Sequence, residues 1–291
     1  MPSVLAMPAP SLGDRVEGQI LSRPLDAVTF TVLDVETTGL NPHFGDRVCE
    51  IALLQCEGGR ELGRYHSLVN PGRPISPGAF AVNRIRDEEL IDAPVFADIA
   101  ATVLEMVGDS VIVAHNAPFD LGFLGSELNI SRLPFIDNLV VDTLALARCC
   151  YSFPSNSLPS VAYYLGIDTW GQHRALADVL TTRQVLERFL PDLVDRGVNT
   201  LGDLIGAQGG QIRLPAPEVI TLPPQIDEAL RGEGRLELRY LSAMGQETRR
   251  VVSPLQVTAY AGYLYLIAFC HLRNEQRTFR LDRIIEMRAD T

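Results

Sequence analysis

Residues 28–35 read Val-Thr-Phe-Thr-Val-Leu-Asp-Val, a β-branched and apolar run with the pattern of a strand buried inside a sheet. Acid closes this run: Asp34 and Glu36 stand at its end, and Thr37-Thr38-Gly39 then turns the chain away. Residues two apart on a strand project to the same side, so both carboxylates can converge on one cation at the strand's C-terminal edge. The pattern Asp-x-Glu is weak by itself, because Asp87-Glu88-Glu89 matches it too and reads as a solvated helix start.

The segments that follow set the fold class. Strand-like runs at 47–56 and 61–69 are joined by a turn at Gly58-Gly59, and 94–107 is helix-like. Residues 111–114 form a short apolar strand that breaks into the polar loop His115-Asn116, before a helix from Pro118. A strand at 138–141 leads into a helix at 143–148. From 173 to 190 the period is helical, with Ala175, Val179, Leu186 and Leu190 on one face and Pro191 as the stop. Alternating strands and helices predict an α/β layer fold, and the tight 47–69 hairpin requires an antiparallel pair, hence a mixed sheet.

After residue 190 the composition shifts to Gly and Pro. Residues 191–224 read as a linker with one short helix, capped by Thr200 and Asp203 and ended at Gly209. Beyond a short helix at 225–231, runs at 235–241, 247–258, 263–271 and 277–285 alternate with turns at Met244-Gly245, Ala261-Gly262 and Asn274. Several short strands at this spacing predict a small antiparallel barrel. The expected organisation is therefore a first domain over 1–190 (core 25–190), a linker over 191–224 and a second domain over 225–291, in keeping with a length of 291 residues.

Charge and cysteine content narrow the function classes. A net charge of −11 argues against coating nucleic acid by bulk attraction. The acidity is uneven: residues 222–291 carry 10 Arg against 9 acids, so the first part holds the whole excess. No apolar run approaches the roughly 18 residues that span a bilayer. The first residues do not read as a signal peptide, and the 5 cysteines contain no CxxC pair. Reduced thiols, no membrane partner and a cytoplasmic location are expected.

The acids acquire a chemistry in combination. Asp120 follows the strand at 111–114 and its loop, another strand-end position, and Asp178 lies near the start of the last helix, after His173. Hard oxygen ligands of this kind suit Mg²⁺ or Mn²⁺ and not zinc. Two such ions about 3.5–4 Å apart would hold the attacking and leaving oxygens of a phosphodiester. A histidine beside the cluster, with an ordinary pKa near 6.5, is suited to take a proton from the attacking water.

Asp34-Val35-Glu36-Thr37-Thr38-Gly39, His115-Asn116-Ala117-Pro118-Phe119-Asp120 and His173-Arg174-Ala175-Leu176-Ala177-Asp178 resemble, in order and spacing, the three motifs of the DEDDh exonucleases. The chain looks like the DnaQ-type proofreading members of that family, and the resemblance runs over about 25–190. It implies a ribonuclease-H-like mixed sheet flanked by helices and two bound Mg²⁺ or Mn²⁺ ions. The reaction it implies is 3′→5′ hydrolysis of the terminal phosphodiester of nucleic acid, releasing nucleoside 5′-monophosphates. Carried over by motif, Asp34, Glu36, Asp120 and Asp178 are the metal carboxylates and His173 the general base. Thr37, Thr38, Leu40 and Asn116 become contacts to the 3′-terminal nucleotide. One departure is visible: relatives often read Thr-Gly where this chain has Asn83-Arg84. His115 is assigned no chemistry, and His43 and His66 read as surface or hydrogen-bonded residues.

The C-terminal runs resemble a WYL domain, a small SH3/Sm-like β-barrel, although the naming triplet reads Leu264-Tyr265-Leu266 here. Arg249, Arg250, Tyr265, Arg277, Arg280 and Arg283 are candidate nucleic-acid contacts, since guanidinium and aromatic groups suit phosphate and base. The competing reading makes the aromatics barrel core and pairs the arginines with Glu237, Glu247 and Asp282. Three functions are in view: a DNA exonuclease working with a separate polymerase or other repair protein, an exoribonuclease on short RNA, and a regulatory nucleic-acid-binding protein. The full set of acids with the histidine, and the lack of a helix-turn-helix pattern, weigh against the third.

Overall fold

The β-branched run at the start of the domain forms β1 (Thr29–Thr37), the middle strand of a five-stranded sheet ordered β3-β2-β1-β4-β5. The protein is described by a computed structural model over residues 19–40, 42, 45–169, 173–212, 222–232, 234–242, 245–260 and 263–290. The N-terminal stretch, His43, Met244, Ala261, Gly262 and residues 213–221 of the expected linker lie outside the described residues. β2 (Val48–Glu57) and β3 (Arg60–Leu68) make the expected antiparallel hairpin. Gly58 and Gly59 turn it at φ of 54° and 79°, the left-handed pair that a two-residue hairpin needs. β4 (Val111–Ala114) and β5 (Val140–Asp142) add on the other side in parallel, so the sheet is mixed as expected.

Strand alternation divides the packing into two layers. Phe30, Val32, Ala52 and Leu54 face one side, against Val179, Val185 and Phe189 of the long helix α7 (Ala175–Asp195). Leu33, Val35, Ile51 and Leu53 face the other. There they meet Ile99 and Val103 of α3 (Phe96–Val107) and Leu121, Phe123 and Leu124 of α4 (Ala117–Ile130). Between β3 and α3 lie α1 (Pro77–Asn83), capped by Ser76, and α2 (Asp87–Leu90). The acids Asp87, Glu88 and Glu89 form the exposed first turn of α2, as their solvated reading requires. α5 (Thr143–Cys150) and α6 (Leu158–Tyr164) precede α7.

The expected helix stop at Pro191 is not observed. α7 continues through Pro191 for another turn. Proline there forfeits one backbone hydrogen bond, but Leu193 is buried in the core and the Tyr151 hydroxyl donates to Asp192 Oδ2 at 2.8 Å. Those contacts hold the last turn. Residues 191–212 likewise do not behave as a linker. Helix α8 (Leu201–Ala207) carries the expected Thr200/Asp203 capping box and buries Leu201 and Leu204 in the first core. Gln208 Nε2 then donates to the Val140 carbonyl at 2.9 Å, while its Oε1 accepts from the Asp142 amide at 2.8 Å.

The C-terminal unit begins with α9 (Pro224–Gly232) and continues as an antiparallel sheet ordered β10-β6-β7-β8-β9. Its strands are β6 (Arg235–Leu241), β7 (Glu247–Tyr260), β8 (Tyr263–Cys270), β9 (Glu275–Arg280) and β10 (Ile284–Asp290). The single strand expected over 277–285 is two strands, split by the turn Leu281–Arg283. β9 and β10 lie on opposite edges yet only three residues join them, so the sheet must curl until its edges approach. That curl is what the small barrel expected from the sequence requires. Ile226, Leu238, Val252, Leu266 and Phe279 fill its core. Among the described residues no helix is long and apolar enough to cross a membrane.

Candidate active site

Asp34 and Glu36 continue the face of Phe30 and Val32, the side covered by α7. Asp178 sits in the first turn of α7, and carboxylate oxygens of Asp34, Glu36 and Asp178 lie within 4.8 Å of one another. Asp120, 3% exposed in the first turn of α4, approaches differently. β4 pairs with β1 only as far as Val32↔Val113 in the described ladder, and Asp120 Oδ1 accepts the Val35 amide beyond that point at 3.1 Å. The carboxylate thus takes the place of the strand that has ended.

Burial, and then repulsion from Asp120, Asp178, Glu36 and Glu50, pushes the Asp34 carboxyl well above its usual range. Burial with Asp178 and Glu50 pushes Glu36 up to about 8, against a hydrogen bond from Asn83 and the charge of Arg174. Burial also raises Asp120, opposed by the Val35 amide, and raises Asp178, opposed by the charge and backbone N–H of His173. A set of hard oxygen donors held this close, with a repulsion those partners offset only in part, fits one or more divalent cations.

His173 is exposed at a φ of 62°, and its backbone N–H donates to Asp178 Oδ2 at 3.2 Å. It stands beside the acid cluster in sequence and through that bond, outside the tight triplet. Thr37 and Thr38 are buried, at 6% and 0% exposure, whereas Leu40 is 85% exposed. Asn116 is exposed and caps α4 from the left-handed region at a φ of 78°. Its amide donates to Asp142 Oδ1 at 2.9 Å, and Asp142 also caps α5 through the Leu144 amide. His115 is hydrogen-bonded within its surroundings, to Thr143 Oγ1 and the Asn156 carbonyl, each at 2.9 Å. Both contacts tie the loop at the end of β4 to the start of α5 and to the segment before α6.

Two contributors to the site, Glu50 and Asn83, went unassigned in the sequence. Glu50, 1% exposed on β2, accepts Arg174 Nε at 3.0 Å, Arg174 Nη2 at 2.9 Å and the Ala175 amide at 3.1 Å. Burial works to raise its pKa, but Arg174, His66 and the Ala175 amide together hold it below the usual value. Asn83, 2% exposed, donates to the Thr37 carbonyl at 3.2 Å and hydrogen-bonds Glu36, bracing the end of β1. The signal for Glu50 was present: a carboxylate inside the apolar run 48–54 demands a partner. Asn83 carried no such signal beyond its place in the departure noted above.

In the C-terminal unit the candidate arginines are largely paired. Arg280 forks onto Asp282 at 2.7 and 2.6 Å and lies 3.8 Å over the Tyr263 ring. Arg277 pairs with Glu275 at 3.5 Å, Arg249 reaches Glu237 at 3.9 Å, and Arg250 Nε donates to Thr248 Oγ1 at 3.3 Å. Phe279 is core, while Tyr265 and Arg283 are half-buried.

A mixed sheet with acids gathered at the end of its middle strand is the ribonuclease-H-like nuclease arrangement. The Exonuclease family model matches residues 31–186, and the WYL domain model matches residues 222–289. The DNA polymerase III subunit epsilon-like protein of Rhodobacter capsulatus is 38% identical over 200 residues, 67% of this chain and 28% of that protein. The PolC-type DNA polymerase III of Bacillus subtilis is 34% identical over 178 residues, 60% of this chain and 12% of that protein. The chain therefore spans less than a third of the length of these relatives. E. coli exonuclease I, solved with a dT13 oligonucleotide, superposes with a TM-score of 0.53 at 20% identity, over 83% of this chain and 55% of that one. The nuclease domain of a DEDDh-family 3′-exonuclease bound to rAMP gives 0.50 at 18% identity, over 57% of this chain and 93% of that one. At those identities the likeness is one of fold. This chain belongs to the exonuclease family and carries a WYL domain after its exonuclease domain.

Proposed function

We propose that the protein is a divalent-metal-dependent 3′→5′ exonuclease acting on single-stranded DNA, in DNA repair or proofreading. It hydrolyses the 3′-terminal phosphodiester and releases nucleoside 5′-monophosphates. The observation that carries this reading is the convergence of Asp34, Glu36 and Asp178 within 4.8 Å, from two separate elements of a family exonuclease fold. Asp120, tied to the same strand, completes the proposed ligand set for two Mg²⁺ or Mn²⁺ ions. When bound, the ions supply positive charge that polarises the scissile phosphodiester and stabilises the charge it gains.

The remaining work falls to the chain's own residues. His173 serves as general base, its imidazole accepting the proton of the attacking water. Thr37, Thr38, Leu40 and Asn116 bind the 3′-terminal nucleotide, Leu40 and Asn116 from exposed positions. The C-terminal domain contributes phosphate contacts through Arg249, Arg250, Arg277, Arg280 and Arg283, with Tyr265 against a base. A DNA polymerase or another repair protein is the proposed partner, and the cytoplasm the proposed setting.

Labelled single-stranded DNA, duplex DNA and RNA, each with Mg²⁺ or Mn²⁺ and resolved by product length, test the assignment. Stepwise shortening from the 3′ end, fastest on single-stranded DNA, is expected. Faster shortening of RNA would replace DNA as the substrate, and internal cuts would refute the exonuclease reading.

A further inference from the structure

The first turn of α7 is held from outside the helix. Arg174 is its N-cap residue and makes no side-chain cap; the Ala175 amide donates instead to Glu50 Oε2 on β2, at 3.1 Å. Glu50 lies directly opposite Glu36 in the β1–β2 ladder, so two like charges face each other on one side of the sheet. Such a pair is destabilising without a compensating cation. Arg174 compensates, with three hydrogen bonds to the Glu50 carboxylate between 2.9 and 3.2 Å. His66 Nε2 adds a contact to Oε1 at 2.7 Å. A carboxylate that is 1% exposed and so fully engaged fixes whatever it is bonded to.

We infer that Glu50 is a positioning residue for the exonuclease centre, locking the first turn of α7 to β2 and so setting where Asp178 and His173 stand relative to Asp34 and Glu36. The inference rests on the reading of that cluster as a metal-holding exonuclease site. The connection is short. Asp178 is in the same helical turn as Ala175, and its Oδ2 accepts the His173 amide at 3.2 Å. A shift of the helix start would carry both residues. β2 is laddered to β1 along its length, so Glu50 shares the frame of the other two acids. Partners that orient metal ligands from behind commonly carry about 10–100-fold in metal affinity or activity.

Calorimetric titration of the metal-free full chain with Mn²⁺, alongside kcat and KM on a single-stranded oligonucleotide, tests the inference. Glu50→Ala should weaken Mn²⁺ binding and lower kcat by about tenfold or more, with KM little changed. Glu50→Gln keeps an acceptor for Ala175 and Arg174 without the charge, and should recover most of both losses. Arg174→Ala, at a side chain 42% exposed, should also weaken Mn²⁺ binding. If Glu50 acted only as a negative charge near the ions, Gln would behave like Ala and Arg174→Ala would bind Mn²⁺ more tightly. Either result overturns the inference, as would variants equal to an active wild type. Should Glu50→Ala fail to fold, Glu50→Gln and Arg174→Ala decide between the two signs. A wild-type chain that neither binds Mn²⁺ nor cleaves would refute the exonuclease reading itself, and this inference with it.

Discussion

The Val35 amide donates to Asp120 Oδ1 at 3.1 Å, so the acid outside the tight triplet is fastened to the strand that carries two of its members. This bond separates two roles of Asp120. Asp120→Asn and Asp120→Ala both remove the charge, and both should lose hydrolysis. Only the alanine leaves the buried Val35 N–H without an acceptor, a cost of about 1–3 kcal/mol. Urea unfolding in EDTA should therefore rank alanine below asparagine by that amount. Equal stabilities would mean the bond is not a support of the fold.

The acid cluster should make metal-free protein less stable as pH rises. A carboxyl whose folded pKa exceeds its unfolded value contributes stability below the unfolded pKa and loses it as pH climbs through the folded one. For Glu36 that window runs from 4.5 to about 8. In EDTA the melting temperature should fall between about pH 5 and 8, and Mn²⁺ at the upper end should restore it by mass action. Glu36→Gln should flatten the fall. A melting temperature independent of pH and of Mn²⁺ would contradict the repulsion described for this site.

Replacing His173 with alanine should lower turnover by about 10²–10⁴-fold, the scale of a positioned general base. Mn²⁺ affinity, measured by calorimetry, should persist because all the carboxylates remain. Lost affinity with saturated turnover intact would make the histidine a ligand instead.

The C-terminal domain is expected to hold the strand away from the reacting end. A chain ending at Ile212 keeps α8 and Gln208 on the first unit and should still cleave a very short oligonucleotide. Its binding of a long strand should weaken, and its salt slope should flatten by about 0.7 per lost phosphate contact. Because Arg280, Arg277 and Arg249 already have acidic partners, each contact must compete with an existing pair. Identical salt slopes for the two chains would remove the domain from substrate binding.

Much of this architecture is legible in the sequence because burial imposes period. The β1 run, the Gly58-Gly59 hairpin and the Thr200/Asp203 cap each state their geometry locally, and the structure has them. Local rules fail where distant contacts override them. Pro191 does not end α7, because Leu193 and Asp192 are engaged by partners far away in the chain. Residues 201–208 read as linker from composition, yet they pack on the first core and on β5. The four motif acids could be picked out by order and spacing. The brace formed by Glu50, Arg174 and His66 joins residues up to 124 apart in sequence, and no local pattern announces such a triad.

The most direct measurement follows 5′-labelled single-stranded DNA with purified wild-type and Asp34→Ala protein, in Mg²⁺ and in EDTA. Wild type in Mg²⁺ should shorten the strand one nucleotide at a time from its 3′ end and release nucleoside 5′-monophosphates. Neither wild type in EDTA nor Asp34→Ala in Mg²⁺ should do so. Undiminished hydrolysis by folded Asp34→Ala, or by wild type in EDTA, would contradict a metal-dependent site built on Asp34.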